Sequence, residues 1–206
     1  MKTLHIVFTI MFLSSSLFAQ EKKDYEIQTL LGKNISHGGY LGLSMGYTQI
    51  NGTDALTAGG RLGWVINHRF VIGLAGSGFA NSVYNSDPVL QTETLIEGGY
   101  GGLFVEPVIG SRLPVHLSFP IVFGAGSVSL NKSFYDGADP WESYSYDEDT
   151  YALVEPGVEL ELNMLKFFRI AIGASYRYTT GIQLQNLNSG LLDGLSGNVT
   201  LKFGKF

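Results

Sequence analysis

The sequence predicts an all-β fold, an eight-stranded antiparallel up-and-down transmembrane β-barrel. Three observations carry the prediction. Apolar residues alternate with small or polar ones in eight segments. Short turns alternate with long polar loops along the chain. The second face of each segment is small as well as charged, with glycine, alanine and serine recurring between the charges. A solvent-facing surface has no need of small residues, whereas the interior of an eight-stranded barrel just holds side chains. The apolar face is therefore expected in lipid and the small, charged face in the lumen.

The chain begins with an export signal. Lys2 is a short positive region, residues 4–13 are an apolar stretch, and Ala19 is a small residue before Gln20. The apolar stretch is shorter than the 20 or so residues a membrane helix needs. Cleavage near Ala19 removes Lys2 and leaves 12 of the 13 Lys+Arg against 18 Asp+Glu. Residues 1–19 are thus expected as signal peptide, 20–38 as a periplasmic N-terminal segment, and 39–206 as the barrel. The chain has no cysteine, which excludes disulfides, a thiol nucleophile and cysteine-bound metal. A sequence pI near 5.3 argues against nucleic acid as a partner.

The first strand is expected over 39–50, with Leu41, Leu43, Met45 and Tyr47 on one face. The next, over 56–65, opposes Leu62 and Trp64 to Gly59, Arg61 and Gly63. Asn51-Gly52 between them is a strong hairpin signal. The third covers 70–80, and the fourth, over 95–108, is the least regular. The fifth, over 115–128, sets Val115, Leu117, Phe119, Ile121 and Phe123 against His116, Ser118, Pro120, Gly124 and Gly126. In the sixth, over 151–163, Glu155, Glu159 and Glu161 alternate with Val154, Val158, Leu160 and Leu162. Pro156 interrupts it, and a missing hydrogen bond without a register shift is expected there. The seventh and eighth cover 168–178 and 195–203. Connections at 66–69, 109–114 and 164–167 are short and expected in the periplasm; those at 81–94, 129–150 and 179–194 are long, polar and expected outside.

Several stretches together resemble the small eight-stranded outer-membrane barrels of Gram-negative bacteria, of the OmpA/OmpX type. They are GGRLGWVINHRFVIG (59–73), GGYGGLFVEPVI (98–109), HLSFPIVFGAG (116–126), FFRIAIGASYRYT (167–179) and LSGNVTLKFGKF (195–206). The resemblance implies the outer membrane as location, and outer-membrane lipid, lipopolysaccharide and the barrel-assembly machinery as partners. It also implies that a terminal aromatic is the assembly signal, Phe206 by position, with Phe203 as the alternative. Phe203 has the opposite parity, so the two aromatics face different ways.

The inward face should carry a charge network of Arg61, Glu106, Glu155, Glu159, Glu161, Arg169, Arg177 and Lys202, four acids against four cations. Charges in a packed lumen must be paired. Two registers of the sixth and seventh strands are open: one sets Glu161 opposite Arg169, the other Glu155 opposite Arg177. The network is expected to be structural, with gating as the functional alternative. His116 is the one histidine on an inward strand position and is expected opposite Glu106. Ser118 lies two residues on, so a Ser–His–Glu set can be written, but deep in a filled lumen.

The 129–150 loop sets Asp136, Asp139, Glu142, Asp147, Glu148 and Asp149 against Lys132, with Trp141, Tyr144 and Tyr146 interleaved. Asp136, Asp139, Trp141, Glu142, Tyr144, Tyr146 and Asp147 are the candidate extracellular recognition surface. Calcium-loop spacing is absent. The expected function is therefore non-enzymatic: envelope structure or surface recognition by a monomer, with no cofactor, no metal, and an extracellular or envelope protein as a further partner. The alternatives are a narrow passive pore and an exported soluble barrel holding a lipophile.

Overall fold

The computed structural model describes residues 35–81, 85–87, 92–136, 139–184 and 187–206; for residues 85–87, 92–94, 132–136 and 139–146 it gives the backbone alone. The expected signal peptide and most of the 20–38 segment lie outside the described residues. Ten strands appear: β1 (His37–Ile50), β2 (Thr53–Ile66), β3 (Phe70–Asn81), β4 (Asn85–Asp87), β5 (Thr92–Ile109), β6 (Val115–Ser118), β7 (Ile121–Asp136), β8 (Asp139–Leu165), β9 (Phe168–Thr180) and β10 (Gly194–Lys205). β1 begins two residues before the expected boundary.

They form eight wall positions. β6 and β7 are one wall strand interrupted at Phe119-Pro120, since both pair β5 on one side and β8 on the other at constant register. β4 pairs only the upper part of β5. All pairings are antiparallel, β3 passes to β5, and β10 returns to β1, so the sheet closes on itself. One inward belt runs Tyr40, Gly63, Gly73, Phe104, Val122, Glu155 through direct pairings. At the same registers it continues through Arg177 and Gly194 and meets β1 at Ile50, ten residues from its start. Eight strands with that stagger tilt about 40° from the barrel axis.

Turn chemistry sets the two ends. At one end Asn51 and Gly52 take positive φ (49° and 76°), the primed-turn conformation that matches strand twist. At the other, Asn67 and His68 (51° and 58°) turn β2 into β3, and Gly110 (75°) opens the β5–β6 turn. We call these the loop end and the turn end. Pro156 sits opposite Ile121, and the β8–β9 register is the same at Val154↔Tyr178 and Gly157↔Ser175, on either side of it. The neighbouring Gly157 N–H donates to Pro120 O at 2.8 Å. The ladder therefore loses one donor and keeps its register.

The two faces are inverted relative to a soluble barrel. Met45, Leu43, Leu56, Leu103 and Tyr178 are 75%, 53%, 72%, 60% and 57% exposed, whereas Glu106, Glu159, Glu161, Arg177 and Lys202 are buried. Small residues make room inside. A Cβ on Gly73 would lie 1.9 Å from Leu62 O and 2.7 Å from the Phe104 ring; one on Gly63 would lie 2.8 Å from the Tyr40 ring. Each glycine lets an inward aromatic lie flat against the wall.

Two segments differ from the expected loops. Residues 129–136 and 139–150 are not an irregular loop. They continue β7 and β8 as a hairpin that pairs out to Asp136↔Asp139, with bulges at Leu130/Asn131 and Phe134/Asp136. β8 runs thirteen residues past its last pairing with β9, on the order of 40 Å along the strand. Residues 181–184 and 187–193 are not a solvated loop either. They carry Ile182, Leu184, Leu191 and Leu192, all buried, onto Ile50, Ile96, Val128, Leu130, Tyr151 and Leu153.

Candidate functional site

The inward face of β8 supplies the acids, because odd-numbered residues from Glu155 to Glu161 share one face of a strand. Two layers result. In the upper layer Glu155 accepts from Tyr100 Oη at 2.7 Å, Ser175 Oγ at 2.6 Å and Arg177 Nε at 3.2 Å. The Arg177 guanidinium also lies over the Tyr100 and Phe79 rings, at 5.1 and 5.6 Å from their centroids.

The lower layer is built round Lys202. Its ammonium lies 2.6 Å from Glu106 Oε1, 2.6 Å from Glu161 Oε1 and 2.9 Å from Glu159 Oε2. An ammonium has three N–H groups, so each carboxylate receives one. Every acid then has a further partner. Tyr40 Oη donates to Glu106 at 2.5 Å, Arg61 to Glu159 at 2.7 Å, and Arg169 to Glu161 at 3.2 Å. Phe206 closes the layer from below, its ring 3.8 Å from the Arg169 guanidinium and 5.7 Å from Tyr40. Phe203 points outward instead and stacks on Phe168 at 4.8 Å.

All nine inward residues expected from the sequence are brought together here, with one partner corrected. His116 does not face Glu106. β5 and β6 pair as Val108↔Ser118 and Ile109↔Leu117, which carries Glu106 past His116 toward Pro120. The five-residue turn of 110–114 lets β5 run further than a tight hairpin would. His116 instead stands opposite Glu161 on β8, with Nε2 3.0 Å from Glu161 Oε2. Of the two registers left open for β8 and β9, the one that opposes Glu155 to Arg177 is adopted, and Arg169 still reaches Glu161 diagonally. The Ser–His–Glu set is not assembled: Ser118 Oγ lies 3.5 Å from Glu159, and no hydrogen bond joins it to His116 among the described residues.

The carboxylates of Glu106, Glu159 and Glu161 converge as a divalent-cation site would require, but the Lys202 ammonium occupies their centre. Between the layers lies a polar cavity of about 40 Å³ bordered by Arg61, Glu155, Glu159, Arg177 and Asn198. It has room for a few waters. Above, residues 181–184 and 187–193 cover the mouth and are pinned by backbone and side-chain bonds. Asn51 N–H donates to Leu191 O at 3.0 Å, and Asp193 accepts from Thr179 N–H at 2.7 Å. Nothing in the sequence reading pointed to this seal, although Ile182, Leu184, Leu191 and Leu192 were its visible signal. Of the expected recognition residues, Asp136, Asp139, Trp141, Glu142, Tyr144 and Tyr146 lie on the β7–β8 hairpin with side chains outside those described. Asp147 lies at its base, opposite Leu130.

An apolar outer wall round a paired ionic interior, in a sheet whose eight wall strands close on themselves, defines the class: a membrane-type β-barrel. No protein-family model matches the chain, and no curated protein does. Among solved structures it is similar to Neisserial surface protein A, at 13% identity and a TM-score of 0.46 over 84% of this chain and 100% of that one. It is also similar to the N-terminal β-barrel domain of Pseudomonas aeruginosa OprF, at 12% identity and a TM-score of 0.47 over 82% and 96%. A third is Ail, the attachment invasion locus protein of Yersinia pestis, at 18% identity and a TM-score of 0.40 over 82% and 95%.

Proposed function

We propose that this is a non-enzymatic barrel of the Gram-negative outer membrane that works through its loop end, with the β7–β8 hairpin as the contact element for a partner outside the cell. The observation that carries the reading is the closed lumen. An ion-paired plug and an apolar seal leave the loop end as the accessible surface, and in the hairpin β8 runs thirteen residues past its last pairing with β9. Residues 129–150 hold six acids against Lys132, so the partner is a protein surface rich in basic residues. A pore would need a path past the Lys202 cluster. A soluble lipophile carrier would need its apolar face inside.

The test is photo-crosslinking in whole cells from residues 139–146, compared with residues in the turn end. Capture of one protein from the hairpin positions, weakened by added salt, supports the reading. Uniform capture from both ends, or a steady single-channel current in planar bilayers, overturns it.

A further inference from the structure

The two ends of the barrel carry opposite charge outside the lumen. Within residues 39–206, eleven acids lie outside the lumen set, from Asp54 to Asp193, and all belong to the loop end. The cations outside the lumen are Arg69, Arg112, Lys132, Lys166 and Lys205. All but Lys132 stand on or beside the turns of the other end, which has no acidic side chain on its rim among the described residues. Arg69, Arg112, Lys166 and Lys205 are all exposed.

Arg69 and Arg112 do more than share an end. β3 pairs with β5, and Val108 N–H donates to Arg69 O at 2.7 Å, so the 67–69 and 110–113 turns lie side by side. They enclose a groove of about 280 Å³ lined by Asn67, His68, Arg69, Ser111, Arg112 and Leu113. The two arginines make no ion pair among the described residues, and no acid competes for them there. The wall next to the groove is apolar: Phe70, Ile109, Leu113 and Val115 are 39%, 64%, 59% and 48% exposed. A cationic groove opening onto an apolar wall at a membrane boundary matches a ligand with an anionic head and acyl chains.

We propose that the groove between the β2–β3 and β5–β6 turns binds the phosphate headgroup of an anionic phospholipid from the leaflet at the turn end. Arg69 and Arg112 hold the phosphodiester, and the acyl chains lie along Phe70, Ile109 and Val115. Lys166 and Lys205 continue the basic rim on the opposite side of the barrel. The site rests on the reading of the barrel as membrane-spanning. It adds an anchor: the basic turn end is held at an anionic phospholipid leaflet.

The test refolds the full chain in neutral detergent and offers equal amounts of phosphatidylglycerol and phosphatidylcholine, with retained lipid read by native mass spectrometry. The wild type is expected to retain phosphatidylglycerol preferentially. Arg69→Gln with Arg112→Gln should cut that preference at least tenfold, at about fivefold for each arginine, and Arg112→Gln alone should give the intermediate value. Equal retention of the two lipids, or an unchanged preference in the double variant, overturns the proposal. So does displacement of phosphatidylglycerol by inorganic phosphate, which would mark a phosphate site and not a lipid site. Carbonate-resistant insertion into phosphatidylcholine vesicles is measured in parallel. A chain that inserts without lipid preference overturns the headgroup site alone, and one that does not insert overturns the membrane reading with it.

Discussion

Lys202 places its ammonium 2.6 Å from Glu106 Oε1, and that contact is less replaceable than its two companions. Glu159 keeps Arg61, and Glu161 keeps Arg169 and His116, when Lys202 is taken away. Glu106 keeps the Tyr40 hydroxyl but, among the described residues, no other cation within ion-pair distance. Lys202→Met should therefore destabilise the refolded barrel by about 3–5 kcal/mol, the usual result of leaving a buried charge without its partner. Adding Glu106→Gln should recover part of that loss. Urea-unfolding midpoints in a single detergent decide it, and equal midpoints for the single and double variants would contradict the assignment.

The alternation that predicts the wall also fixed which side chains meet inside, because one parity error moves every residue of a strand to the other face. Glu155, Glu159 and Glu161 could be placed inward from parity alone, and the cations followed from the need to pair them. The partner of His116 could not be read that way. It depends on how far β5 runs before the 110–114 turn, and several turn geometries keep the same parity. The β7–β8 hairpin was hidden for a different reason. Residues 129–150 carry acids at both odd and even positions, a pattern that reads as a solvated loop and marks no single face. The seal at 181–193 was hidden by its glutamines, asparagines and glycines, which read as a solvated loop although five aliphatic residues stand among them.

Glu155 and Arg177 form the upper layer almost alone, so their coupling is measurable. Glu155→Leu leaves Arg177 buried with aromatic faces as company, and Arg177→Leu leaves Glu155 with two hydroxyls. Each single substitution should cost about 3 kcal/mol or more, and the double less than their sum by at least about 1 kcal/mol. A double-mutant cycle on unfolding free energies tests this. Additive losses would mean the two side chains do not act as a pair.

Of the described glycines, Gly73 is the one whose added Cβ would collide most closely with a neighbour. A methyl there meets the Leu62 carbonyl oxygen, which belongs to the β2–β3 ladder and cannot move without breaking it, and then the Phe104 ring. Gly73→Ala should cost about 1–3 kcal/mol by overpacking. Gly52→Ala, at a turn position with open space around it, should cost only the strain of its positive φ. If the two variants unfold at one midpoint, the lumen is looser than the Phe104 packing implies.

Leu192 is 1% exposed within the apolar seal. Leu192→Asp should release the 181–193 segment, since an unpaired carboxylate cannot stay among Ile50, Ile96 and Leu153. Limited proteolysis should then cut within 181–193 at least tenfold faster while the barrel keeps its heat-modifiable mobility. The ion-paired layers below are untouched, so planar bilayers should stay electrically silent. A new steady current in Leu192→Asp would assign the permeability barrier to the seal instead of the Lys202 cluster.

Phe203 and Phe206 are three residues apart and face opposite ways, which separates two roles that a C-terminal aromatic could combine. Phe206 lies under the lumen, with Arg169 3.8 Å above its ring. Its truncation removes a cation–π contact of about 0.5–2 kcal/mol and exposes the lower charge layer. Phe203 is outward, where it can be read on the surface of an unassembled strand, and in the folded barrel it loses only its stack on Phe168. Phe206→Ala should therefore lower the unfolding midpoint of the refolded protein. Phe203→Ala should lower the amount of folded barrel assembled in cells with a smaller change in midpoint. The two measurements, made on both variants, separate assembly from stability. If Phe206→Ala instead cut assembly in cells and left the midpoint unchanged, the assembly signal would be the inward ring, recognised before the lumen closes over it.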